Sequence, residues 1–109
     1  MRSRNQSILV PSRRPPTVEI DTTTGVAYVR FKREETAVVR SHQVDRIGYP
    51  RVTIDYDKEG SLIGVELLGV VEFGVITLLQ MAHVRMPNAD LSRARYVGAG
   101  CLERQVAVG

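Results

Sequence analysis

Two stretches of strict period-two alternation constrain this chain more than any other feature. In the first, Val18 and Ile20 alternate with Thr17, Glu19 and Asp21; beyond the turn-forming "DTTTG", Ala27, Val29 and Phe31 alternate with Tyr28, Arg30 and Lys32. Successive side chains of a strand point to opposite faces, so this pattern specifies two half-buried antiparallel strands joined as a hairpin. In the second, Val52, Ile54 and Tyr56 oppose Thr53, Asp55 and Asp57, and after "DKEG" Ile63, Val65 and Leu67 oppose Leu62, Gly64, Glu66 and Leu68. A two- or four-residue turn aligns the two apolar faces, whereas a three-residue turn sets them against each other unless a bulge compensates. The spacing admits either.

Between the hairpins, Lys32 to Glu35 reads as a polar turn, and Ala37 to Val44 as a third strand whose imperfect alternation suits a sheet edge or a strand lying partly against another element. Gly48 and Pro50 then break the pattern. In "FGVITLLQMAHV" the period changes: Thr77, Gln80 and His83 recur every three residues, which predicts a helix that is apolar around most of its circumference. Such a helix would cover the open face of the sheet, and its surplus apolar surface calls for a second copy of the chain or another partner. A strand continued from Val70 to Ile76 is the rival assignment. "NADLSRARYV" predicts a short helix from Asn88 or Asp90, ending at the "GAG" of residues 98–100, and "CLERQVAVG" fits a short strand, a docked tail or disorder. The expected architecture is therefore α+β, a twisted antiparallel sheet of about five strands, two hairpins and an edge strand, packed on a C-terminal helix. Its expected divisions are a flexible Arg/Pro arm over 1–16, the β domain with its helix over 17–86, and an extension over 87–109.

Charge and composition narrow the function classes. The 109 residues carry a net charge of +3, but residues 1–16 hold four Arg and no acid, residues 17–84 hold seven basic and ten acidic side chains, and residues 85–109 hold four Arg against Asp90 and Glu103. The body is slightly acidic and the basicity sits in the two ends. The one cysteine, Cys101, excludes an internal disulfide, thiolate zinc sites and CxxC redox chemistry. The apolar run from Val70 to Val84 is interrupted by Glu72, Gln80 and His83 and is shorter than the roughly 20 residues of a membrane span. No secretory leader is visible at the N-terminus, and a cytoplasmic location is the default expectation.

The sequence offers no nucleophile with its base, no glycine-rich phosphate loop and no clustered metal ligands, so no enzymatic activity and no cofactor is expected. Asp55, Asp57, Glu59, Gly60 and Glu66 fall at positions 1, 3, 5, 6 and 12 of a calcium loop, but the flanking segments alternate as strands where that motif needs helices. They read instead as the outer face and tip of a hairpin, with weak ion binding at Asp55, Asp57 and Glu66 left open. An enzyme site built from these acids and a histidine ranks last. His42 and His83 stand 41 positions apart with no ligand spacing, and Cys101 lacks the basic surroundings of an activated thiolate. Tyr28, Arg30 and Lys32 form an outward aromatic-basic row, extended by Arg40, with the composition of a contact for single-stranded nucleic acid or an acidic peptide. A solvated face balanced by Glu19 and Asp21 is the stronger reading of that row.

The residues Ile20, Asp21, Ala27, Tyr28 and Val29, followed by "IDYDKEGSLIGVELL", make the chain resemble the small bacterial domain-of-unknown-function family 2283 over about residues 17–69. The resemblance implies a compact antiparallel β domain, frequently ending in a helix, with no catalytic residues to carry over. For some members it implies an antitoxin or immunity-type binding role. The Arg/Pro arm and the tail from Glu72 to Gly109 depart from the family pattern. The leading functional expectation is a non-enzymatic protein-interaction module, antitoxin-like in its specific form, acting as a dimer through the apolar helix or the edge strand. The alternative is nucleic-acid binding through Arg2, Arg4, Arg13 and Arg14, supported by the sheet face.

Overall fold

The computed structural model describes residues 7–32, 36–44 and 50–98. Their order is β1 (Ile8–Leu9), β2 (Thr17–Asp21), β3 (Val26–Arg30), β4 (Arg40–Gln43), β5 (Arg51–Tyr56), β6 (Leu62–Leu68), α1 (Val75–Met81), β7 (Val84–Arg85), a 3-10 turn (Leu91–Arg93) and β8 (Arg95–Gly98). Strands β4-β5-β6-β3-β2-β8 form one sheet in that spatial order, and β1 pairs separately with β7. All neighbours in the large sheet are antiparallel except β2 and β8, which are parallel. The fold is α+β, as expected, with a mostly antiparallel sheet followed by the helix α1.

Both expected hairpins are present, and each is turned by an aspartate and a glycine. In the first, the Asp21 carboxylate accepts from the Thr23 amide at 3.0 Å, and Gly25 closes the turn at φ 71. In the second, Asp57 Oδ1 accepts from the amides of Glu59 and Ser61 at 3.0 and 2.8 Å, and Gly60 takes φ 81. Aspartate supplies an acceptor for turn amides that would otherwise be unpaired, and glycine enters the left-handed region without Cβ strain. The open question of turn parity is answered by a bulge. Tyr56 pairs with Leu62 and Asp55 with Gly64, which leaves Ile63 as the extra residue of β6. Tyr56 and Leu62 thereby both pack against the core, so Leu62 joins the face from which plain alternation excluded it.

One face of the sheet presents Val18, Ile20, Ala27, Val29, Val52, Ile54, Val65 and Leu67 to the core. Against it lie Val75, Leu78 and Leu79 of α1, with Val10, Val84 and Met86. The helix, not the rival strand, follows β6, but it is shorter and more one-sided than its sequence suggests. It exposes Gln80 and leaves Ile76 57% exposed. Its start is set by Tyr96 on β8, whose Oη accepts the Val75 amide at 2.8 Å and satisfies one of the unpaired N–H groups of a helix N-terminus. Its end is set at His83, which adopts φ 57. The His83 carbonyl then accepts from the Ile8 amide at 2.8 Å, so the same turn feeds β7 onto β1.

Two expectations are revised. Within the segment expected as a flexible arm, Ile8–Leu9 pairs with Val84–Arg85, and both Val10 and Pro16 are buried. Residues 7–16 therefore lie along the domain, while Arg2 and Arg4 lie outside the described residues. The helix expected from Asn88 or Asp90 to residues 98–100 is only the 3-10 turn at Leu91–Arg93, after which Arg95–Gly98 adds a sixth strand beside β2. Cys101 and the rest of the tail also lie outside the described residues.

Candidate functional site

The outer face of the sheet, opposite the helix, collects the polar residues of both alternating stretches. Cross-strand register sets Glu19 beside Tyr28, Tyr28 beside Glu66, Glu66 beside Thr53, and Thr53 beside Gln43. The next row sets Thr17, Arg30, Gly64, Asp55 and Ser41 side by side. Two runs of polar side chains therefore cross the sheet perpendicular to its strands.

A chain of contacts links these rows. Arg30 Nε donates to Glu19 Oε2 at 2.8 Å, and the Arg30 guanidinium stands 4.9 Å from the centre of the Tyr28 ring. Tyr28 Oη donates to Asp55 Oδ2 at 2.8 Å, while Ser41 Oγ donates to Asp55 Oδ1 at 2.6 Å. The path Glu19–Arg30–Tyr28–Asp55–Ser41 thus connects β2, β3, β5 and β4, crossing β6 without using any side chain from it. The crossing is made at Gly64. A Cβ placed there would stand 2.7 and 2.8 Å from Cε2 and Cζ of Tyr28 and 2.6 Å from the Val29 carbonyl oxygen. Glycine within a strand marks close approach of another group, and here that group is the tyrosine ring.

These contacts decide what the face can do chemically. Burial, then the hydrogen bond to Asp55, push the Tyr28 phenol well above its ordinary range, so it keeps its proton at neutral pH. Asp55 receives a hydroxyl donor on each oxygen and works as an anchor. At the tip of the second hairpin, the Ser61 amide above all, assisted by Lys32 and the Glu59 amide, holds the Asp57 carboxyl below the usual carboxylate range despite its burial. Lys32 Nζ lies 3.2 Å from Asp57 Oδ2. Among the described residues, no group of three or more His, Cys, Asp or Glu side chains is placed to hold a metal ion. The residues that matched a calcium loop are thus spread over a network and a turn: Asp55 belongs to the outer face and Asp57 caps the hairpin.

The expected aromatic-basic row is divided. Tyr28 and Arg30 remain together, but Arg30 is turned toward Glu19, and Lys32 lies beyond the end of β3 and turns to Asp57. Arg40 does not extend the row, because its guanidinium stacks 4.6 Å from the centre of the Tyr56 ring. Its cations thus meet the protein's own acids and rings. Arg13 and Arg14 are exposed on the segment before β2, and Arg14 and Lys32 are both among the lining of a groove of 660 Å³. Sequence reasoning did not single out Ser41 or Gly64. The signal for Gly64 was its place inside a strand pattern; Ser41 carried none, since only the β4–β5 register brings it to Asp55.

A second feature lies at the sheet edge. All four residues of β4 are exposed, and the two preceding residues, Val38 and Val39, are 48% and 63% exposed. β4 has β5 on one side and nothing among the described residues on the other. Hydrogen bonding in an antiparallel pair alternates along the strand, so the backbone groups of every second residue of β4 face away from the sheet.

Comparison with known proteins gives a family match. Residues 17–70 fit the family model described as Protein of unknown function (DUF2283), a span that runs from β2 through β6 and stops before α1. Searches of curated proteins and of solved structures gave no match. The matched span contains Tyr28, Asp55, Asp57, Gly60 and Gly64, the residues that build the outer-face network and the second turn, and through it the chain belongs to the DUF2283 family.

Proposed function

We propose that this domain is a non-enzymatic protein-interaction module that assembles by strand addition at β4, pairing with β4 of a second copy of the chain. The observation that supports this reading is the outer edge of β4, which no described strand covers. Exposed edges in monomeric proteins are blunted by charge, proline or bulges. β4 contains no proline, and its one permanent charge, Arg40, is drawn over Tyr56. Val38 and Val39 place two exposed β-branched residues at the strand's entrance. Antiparallel pairing of β4 with itself about a two-fold axis is self-complementary and joins two six-stranded sheets into one. Binding of an antitoxin type would use the same edge, with the partner's strand in place of the second copy.

The nucleic-acid alternative has less support. Arg30 and Lys32 are paired with Glu19 and Asp57, which leaves Arg13 and Arg14 as the exposed described cations among the residues expected to make that contact.

Light scattering across micromolar concentrations tests the proposal. The full chain should approach a dimer mass, and the doubly substituted Val38→Lys/Val39→Lys chain should remain a monomer with an unchanged circular dichroism spectrum. A monomer at all concentrations, or a dimer unaffected by both lysines, contradicts it.

A further inference from the structure

We infer that residues 7–11 form an exchangeable strap, and that the surface beneath them, the edge of β7 with the seat of Val10, is a second interaction surface whose partner is the same segment of another copy of the chain. The strap is fastened by a few identifiable contacts. The Ile8 and Val10 amides donate to the His83 and Arg85 carbonyls, each at 2.8 Å, and the Pro11 carbonyl accepts from Asn88 Nδ2 at 3.2 Å. Ile8 and Leu9 run parallel to Val84 and Arg85. Val10 is buried in the core, whereas Leu9 beside it is 58% exposed. A two-residue strand and one buried side chain thus hold the segment down. Because β1 and β7 form a sheet of their own, releasing the strap breaks no ladder of the six-stranded sheet.

The linker behind the strap suits exchange. The next fixed point is Pro16, which is fully buried and whose carbonyl accepts from the Arg95 amide at 3.0 Å. Between the two anchors lie residues 11–15, of which Pro11, Arg13 and Arg14 are exposed. Proline fixes φ and keeps a linker extended, so Pro11 and Pro15 oppose its collapse into a compact turn. An extended linker that carries the strap to its own β7 carries it equally to the β7 of a neighbour. There the strap remakes each of the contacts above, since the receiving residues are identical, which makes the exchange self-complementary. The chain's own strap competes at an effective concentration on the order of millimolar for a short linker, so the closed form dominates at micromolar concentration and exchange is a passing state. Neither β1 nor β7 lies in the family-matched span 17–70, so the strands shared with the family stay in place throughout.

Cross-linking between full-length chains tests the inference, and Val38→Lys/Val39→Lys with Cys101→Ser in every chain separates it from pairing at β4. Leu9 and Arg85 are register partners and both are exposed, so a cysteine at either position keeps the fold. A Leu9→Cys chain is mixed with an Arg85→Cys chain and treated with a short bismaleimide. In the control the second chain carries Thr22→Cys instead, at the exposed first turn. Cross-linked heterodimer should form on the order of tenfold faster with Arg85→Cys, because a docked strap holds the two thiols at millimolar or higher effective concentration. Adding Val10→Lys to the Leu9→Cys chain, with its fold checked by circular dichroism, should return the rate to that of the control. Equal rates for the Arg85→Cys and Thr22→Cys mixtures overturn the inference. So does a fast rate that Val10→Lys leaves unchanged in a folded chain.

Discussion

Replacing Gly64 by alanine tests whether the outer face is organised around the crossing of Tyr28 over β6. Alanine has the better intrinsic propensity, and removing a glycine from a regular element ordinarily stabilises by roughly 0.5–1 kcal/mol. The structure predicts the opposite sign. The added methyl would stand 2.6 Å from the Val29 carbonyl and 2.7–2.8 Å from the Tyr28 ring, distances that require both to move. Overpacking of this kind costs about 1–3 kcal/mol, and lifting the ring also breaks the Tyr28–Asp55 hydrogen bond, whose loss adds about 1 kcal/mol. Set against the propensity gain, the net destabilisation is about 1–3 kcal/mol, which lowers the melting temperature of a domain this size by roughly 5–20 °C. Urea unfolding followed by circular dichroism measures it. A double-mutant cycle with Tyr28→Ala then separates the two clashes, because removing the ring should recover part of the loss while the carbonyl contact keeps the rest. A Gly64→Ala domain as stable as the parent, or a cycle with no coupling, would refute the reasoning.

Two further predictions concern pH. The Tyr28 phenol is raised in the folded state, so its contribution to stability is fully present below the ordinary tyrosine value of about 10 and is lost as pH rises above it. The difference in alkaline ultraviolet titration between the parent and Tyr28→Phe should show a phenol that ionises late, and the variant should lose this part of the alkaline destabilisation. Asp57 is depressed in the folded state, so its contribution is present above the ordinary aspartate value of about 3.9 and is lost as pH falls through the lower folded value. Acid unfolding of Asp57→Asn should accordingly be less steep than that of the parent, and equal slopes would contradict the assigned role of the turn carboxylate.

The hairpins were legible because each carries its own local pattern. Alternation names the buried face and an Asp-to-Gly spacing names the turn, and both are properties of neighbouring residues. β8 was hidden because Arg95–Gly98 is short and is held by β2, some 78 positions earlier by the pairing of Thr17 with Arg95. β1 and β7 are two residues each and exist only as partners of one another. The helix was legible in existence but not in extent, since its ends depend on Tyr96 and on the left-handed turn at His83. At the outer face, sequence placed Tyr28, Arg30 and Asp55 correctly on one side. It could not show that Arg30 turns to Glu19, that Lys32 turns to Asp57, or that Asp55 gathers hydroxyls from β3 and β4, because those contacts depend on register and on the bulge at Ile63.

The proposed role rests on β4 being an edge that accepts another strand, and amide hydrogen exchange of the full chain at low and high concentration tests that claim most directly. Peptides spanning residues 37–44 should gain protection as concentration rises, while peptides from the central strands β3 and β6 stay unchanged, and Val38→Lys/Val39→Lys should abolish the gain. Exchange across residues 37–44 that is fast and independent of concentration in the parent chain would contradict the account.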